Sequence, residues 1–130
     1  MANKPTRSHD PETLRVLSAI RAALEDKKAE DIVMLDVGEK SSITNYLVLA
    51  TGTSEPHLRA LRIEVDRVLD ETGTEILGRD AEPGSGWVVV DAFDIMVHVF
   101  LPEMRAHYQI ERLWGDAAAL SAEEVGASLR

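Results

Sequence analysis

Ile43-Thr44-Asn45-Tyr46-Leu47-Val48-Leu49-Ala50-Thr51-Gly52-Thr53-Ser54-Glu55-Pro56 joins a short apolar run, a polar turn and a helix start. A run of β-forming residues this short and this apolar reads as an interior strand. Ser54 offers a capping oxygen, Glu55 an acid near the positive end of the helix dipole, and Pro56 a residue suited to the first helical turn. Strand, turn and helix in direct succession are the building unit of an α/β domain.

Downstream, Leu58, Leu61, Val65, Val68 and Leu69 mark the apolar face of that helix, and Thr72-Gly73 closes it. Upstream, residues 32–37 form a second apolar run ending at Gly38. The connection over residues 38–42 is too short for a crossover, so these two strands should pair antiparallel. Further upstream, Asp10-Pro11-Glu12 opens a helix whose stripe is Leu14, Leu17, Ile20 and Leu24, widened by Val16 and Ala23 and ending near Lys27-Lys28. Towards the carboxyl end, residues 75–77 read as a short strand and residues 78–86 as an exposed, glycine-rich loop. Residues 87–90 and 95–101 read as a hairpin joined through Asp91-Ala92-Phe93-Asp94. Pro102 stops the ladder and begins a helix to about His107, with a second turn near residues 110–114. The expected fold is therefore a single α/β domain, a five-stranded mixed sheet flanked by helices in the order α-β-β-α-β-β-β-α. Residues 1–9 are expected to be flexible, 10–116 to form the domain, and 117–130, with few large apolar side chains, to be a mobile tail.

The composition removes several classes of function. With no cysteine, the chain has no disulfide, thiolate metal site or cysteine nucleophile, which fits a reducing compartment. Residues 1–10 lack the apolar core of a signal peptide, and no run approaches the roughly 20 apolar residues of a membrane span, so a soluble, cytoplasmic protein is expected. The formal net charge is -9. Within residues 75–116, Glu75, Asp80, Glu82, Asp91, Asp94, Glu103, Glu111 and Asp116 face only Arg79, Arg105 and Arg112. Such a field repels nucleic acid and suits a basic protein partner, although excess acid also serves solubility alone.

Catalysis finds little support. The Thr51-Gly52-Thr53-Ser54 turn resembles a phosphate-binding turn but lacks P-loop spacing, and it equally serves as a strand-to-helix connection capped by Ser54. A Mg²⁺-dependent nucleotidyltransferase needs converging carboxylates. Asp91 and Asp94 straddle a turn, and Asp31 and Asp36 would point to opposite strand faces. His98, between Val97 and Val99, reads as a hydrogen-bonded core residue, and Glu103 with His107 lacks a third metal ligand. No catalytic residue, cofactor or metal is expected. Partner binding fits better. Trp87, Tyr108 and Trp114 are rigid aromatic anchors in an aromatic-poor chain, set among acids that could orient a basic partner. The candidate partner-binding residues are Trp87, Asp91, Asp94, Glu103, Arg105, Tyr108, Glu111, Trp114 and Asp116. Each has a plainer role: Trp114 could pack its turn onto the sheet, and any one acid could simply be solvated.

Four ordered segments carry a family resemblance. They are residues 46–54 with His57, Gly86-Trp87 with Val90-Asp91 and Asp94, the strand Val97-His98-Val99-Phe100, and Tyr108 with Glu111-Arg112-Leu113-Trp114-Gly115-Asp116. Together, over about residues 11–117, they resemble the ribosomal silencing factor family, also called Iojap-related. The resemblance implies a nucleotidyltransferase-like fold without the catalytic carboxylates. It also implies a factor that docks on the large ribosomal subunit through ribosomal protein L-fourteen, blocks joining of the small subunit, and lowers translation when nutrients are scarce. A homodimer is compatible with it. Two other readings share the same residues: a Mg²⁺-dependent nucleotidyltransferase-like enzyme, and an adaptor for some other basic protein.

Overall fold

The computed structural model of the chain describes residues 11–38, 44–108 and 118–120. The expected cap Asp10, the second turn at 110–114 and the candidate residues Glu111, Trp114 and Asp116 lie outside the described residues, as does the side chain of Tyr108.

In chain order the elements are α1 (Pro11–Asp26), β1 (Glu30–Asp36), β2 (Tyr46–Thr51), α2 (Glu55–Glu71), β3 (Gly78–Asp80), β4 (Trp87–Asp91), β5 (Ile95–Phe100), α3 (Pro102–Tyr108) and β6 (Ala118–Leu120). They build one mixed sheet in the order β3-β4-β5-β2-β1-β6. β2 and β5 are parallel neighbours at its centre, and every other pairing is antiparallel.

Alternation along the strands explains the layering. Tyr46, Val48 and Ala50 of β2 join Val88 and Val90 of β4 and Ile95, Val97 and Val99 of β5 in one core, on the face covered by α1 and α2. Leu47, Leu49 and Phe100 point the opposite way, into a second cluster with Leu35 and Val37. β2 is buried at all six positions, so the nearly continuous apolar run reflects a strand covered on both faces. α1 buries Leu14, Val16, Leu17, Ile20, Ala23 and Leu24, and α2 buries Leu58, Leu61, Val65, Val68 and Leu69. Each large aliphatic side chain removed from water favours folding by about 1.5–3 kcal/mol before its ordering entropy is counted.

The helix ends follow their sequence signals. The Ser54 hydroxyl accepts from the His57 amide at 3.2 Å at the start of α2. Thr72 caps the other end, and Gly73 follows at φ 71°. α3 lies on the second face, where Met104 packs against the Leu47, Leu49 and Phe100 cluster. Gly86, at φ 73°, makes room for it, since a Cβ there would stand 2.9 Å from Met104 Cγ.

Two elements differ from expectation. The third strand is Gly78–Asp80 rather than residues 75–77, and so falls where a loop was expected. Leu77 does donate to the Asp91 carbonyl at 2.8 Å, but the ladder continues through three exposed edge residues that carry no apolar signal. The sheet also gains a sixth strand beyond the five expected: Ala118–Leu120, in the segment read as a tail, pairs with residues Met34 to Asp36. Among the described residues no helix is long and apolar enough to cross a membrane.

Candidate partner-binding surface

Trp87 begins β4 directly opposite Phe100 of β5 and diagonally across from His98. The indole lies 5.5 Å from the Phe100 ring and 5.8 Å from the His98 ring, while His98 and Phe100 stack at 5.9 Å. Trp87 Nε1 donates to His98 Nδ1 at 3.1 Å, so Nδ1 is the acceptor and the imidazole proton sits on Nε2. His98 is 8% exposed, and its burial pushes the imidazole pKa down to about 4, leaving it neutral at physiological pH. It is a buried core histidine that fixes the plane of the indole.

Trp87 remains half-buried and forms one wall of a concavity completed by Asp80, Glu82, Ser85, Val89 and Met104. Its volume of about 160 Å³ is below the roughly 300–1,000 Å³ typical of small-molecule sites, and suits one inserted side chain better than a nucleotide. Asp80 and Glu82 were legible in the sequence only as part of a local charge excess. The fold brings them beside the indole. Glu103 is exposed in the first turn of α3, next to Met104 of this concavity, and Tyr108 ends the same helix.

Three other candidates, Asp91, Asp94 and Arg105, form hydrogen bonds within the fold. Asp91 Oδ1 accepts from the Phe93 amide at 2.9 Å and supports the hairpin turn, in which Phe93 has φ 68°. Asp94 is a latch: its Oδ2 accepts from Thr13 Oγ1 at 2.7 Å and its Oδ1 from Asn45 Nδ2 at 2.6 Å, tying α1 and the start of β2 to the hairpin. Asp91 lies at the far end of β4 from Trp87, roughly 13 Å away at about 3.3 Å per residue, and Asp94 follows in the turn beyond it. Among the described candidates, Asp91 and Asp94 are therefore set apart from Trp87 and support the hairpin. Replacing Asp94 with Ala should cost about 2 kcal/mol of stability by stranding two donors, as measured by urea unfolding. Arg105 Nη1 donates to the Asp31 carbonyl at 2.7 Å and to Thr51 Oγ1 at 2.8 Å.

The Thr51–Ser54 turn has little to offer a phosphate. The Gly52 amide donates to the Phe100 carbonyl, the Thr53 amide to His57 Nδ1, and the His57 amide to Ser54 Oγ. Because His57 Nδ1 is an acceptor, Nε2 donates to the Lys27 carbonyl at 2.7 Å, clasping α2 to the end of α1. A Cβ on Gly52 would stand 2.7 Å from Leu58 Cδ2, so this glycine lets α2 pack close to the turn and a larger residue would displace the Leu58 side chain. Among the described residues no three His, Asp or Glu side chains are placed to hold a metal ion.

Trp87, His98 and Phe100, and the capped turn over residues 51–54, lie in segments that carried the sequence resemblance. A family model described as "Ribosomal silencing factor during starvation" matches residues 10–129. The chain belongs to this family. The ribosomal silencing factor of Chromobacterium violaceum is 43% identical over 93 residues, covering 72% of this chain and 76% of the relative. A crystal structure of a Chromobacterium violaceum protein superimposes with a TM-score of 0.74 at 40% identity, covering 78% of this chain and 84% of that one. The mouse protein named "Mitochondrial assembly of ribosomal large subunit protein 1" is 32% identical over 97 residues, covering 70% of this chain and 41% of the mouse protein. The relatives' names denote silencing or assembly factors rather than catalysts. Trp87 and His98 thus sit in a silencing-factor domain whose sheet follows the family fold.

Proposed function

We propose that this protein binds the large ribosomal subunit in the cytoplasm, through ribosomal protein L-fourteen, and blocks joining of the small subunit by occlusion. Translation would fall under nutrient limitation without any bond being made or broken. The observation that carries the reading is the Trp87 concavity: an indole locked by His98 and Phe100, flanked by Asp80 and Glu82, with Glu103 on the adjoining helix. A locked aromatic binds at low entropic cost, and flanking acids attract the Lys and Arg side chains of a ribosomal protein. Family membership and the mouse relative's large-subunit name support the same partner. Tyr108, Glu111, Trp114 and Asp116, which follow in the sequence, are further candidate contacts.

The test is co-sedimentation with purified large subunits, followed by addition of small subunits and a count of joined ribosomes. The native chain should travel with the large subunit and lower the joined fraction. Reversing both exposed acids, Asp80→Lys with Glu82→Lys, should weaken binding about tenfold at ~0.1 M salt while leaving thermal stability unchanged, and the difference should shrink at higher salt as the charges are screened. A native chain that neither co-sediments nor reduces joining would remove the reading.

A further inference from the structure

We infer that Arg105 is a positioning residue for the docking surface, acting through the β1 bulge and Thr51 to set where α3 lies. This rests on the reading that α3 belongs to the surface that meets the ribosome.

α3 has seven residues, well short of the roughly 12–15 that an isolated helix needs to persist in water, so tertiary contacts must set its place. Two anchors are visible. Met104 inserts into the apolar cluster of Leu35, Leu47, Leu49 and Phe100 from the space left by Gly86. Arg105 reaches instead across the ends of β2 and β1, where Nη1 donates to Thr51 Oγ1 and to the Asp31 carbonyl. The second acceptor exists because β1 is irregular. Its pairing with β2 jumps from Glu30 opposite Thr51 to Val33 opposite Leu49, and Asp31 adopts φ 49° in between. A bulge takes a residue out of the ladder and re-aims its backbone, and here it leaves the Asp31 carbonyl outside the registered pairs. A left-handed aspartate, a buried threonine hydroxyl and a guanidinium from a third element thus meet at one point. The Met104 anchor fixes the depth of α3, and the Arg105 clasp fixes its rotation over the sheet end. Glu103 and Tyr108, two residues before and three after Arg105, move with it.

Thr51 separates positioning from direct contact, because it is 3% exposed and cannot itself meet a partner. Arg105→Ala, the near-isosteric Thr51→Val, and the double variant are compared in affinity for purified large subunits. Amide hydrogen exchange of α3 is followed in the free full-length proteins. Arg105→Ala is expected to weaken binding about tenfold, Thr51→Val to weaken it in the same direction, and the double variant to be no weaker than Arg105→Ala alone. Exchange at the Met104 and Arg105 amides should rise in Arg105→Ala while the β2 and β5 amides keep their protection. The inference is overturned if Thr51→Val binds like the native chain while Arg105→Ala does not, since Arg105 would then touch the partner directly. Additive losses, or unchanged α3 exchange in Arg105→Ala, overturn it as well. If the native chain itself fails to bind large subunits, the proposed function falls, and the exchange data on the free proteins alone decide whether Arg105 positions α3.

Discussion

Trp87→Ala is expected to lower the unfolding free energy by about 3 kcal/mol, the low end of the range for losing a large aromatic, because the indole is only half-buried. Two terms add. The ring contacts with Phe100 and His98 disappear, and His98 Nδ1, in a site that is 8% exposed, loses its Trp87 donor. Trp87→Phe should retain much of the ring packing but not the hydrogen bond, and should fall between Ala and native in urea unfolding. The same pair of variants separates two roles for this residue. If Trp87→Ala unfolds at the native urea concentration yet loses ribosome binding, the indole is an anchor and contributes little to the fold. If it is destabilised as expected, binding must be compared under conditions where both proteins are fully folded.

The second large effect is a dependence of stability on pH that originates at His98. Burial holds the folded imidazole at about 4, against 6.5 when it is exposed. Well above pH 6.5 both folded and unfolded chains leave this group neutral, and its contribution does not change with pH. As pH falls from 6.5 towards 4, the unfolded chain takes up a proton that the folded chain refuses, so stability declines across that window by roughly 3 kcal/mol. Below about 4 the folded group is protonated too, and the decline from this source stops. His98→Gln keeps an acceptor for the Trp87 indole and removes the titration. Unfolding free energies measured at pH 4.5, 5.5 and 7 should therefore fall less steeply for His98→Gln than for the native chain. Equal slopes for the two proteins would assign the acid sensitivity to other groups.

Much of this molecule was legible along the chain because the governing physics is local. The stripes of α1 and α2, the Ser54 cap, the Thr72-Gly73 stop and the apolar runs of the β4–β5 hairpin need only neighbours within a turn or a strand, and each was found where its residues lie. The antiparallel pairing of β1 with β2 followed from the shortness of their connection. His98 as a core residue followed from its apolar neighbours. The family, too, was readable from the order and spacing of four segments.

Tertiary structure decided what depends on partners distant in sequence. Nothing near Asp94 in the sequence says that it will hold Thr13, 81 positions away, and Asn45, 49 away. Arg105 finds Asp31 and Thr51 across 74 and 54 residues. The edge strands β3 and β6 are short, and all three β3 residues are exposed, so no burial pattern announced them; their pairing comes from the backbone of the neighbouring strand. Hydrophobic periodicity records which face of an element is covered, and hence the number, kind and order of the buried elements. Which polar side chains are engaged within the fold and which are left to meet a partner is settled only when the sheet closes, because a hydrogen bond depends on where two groups meet in space.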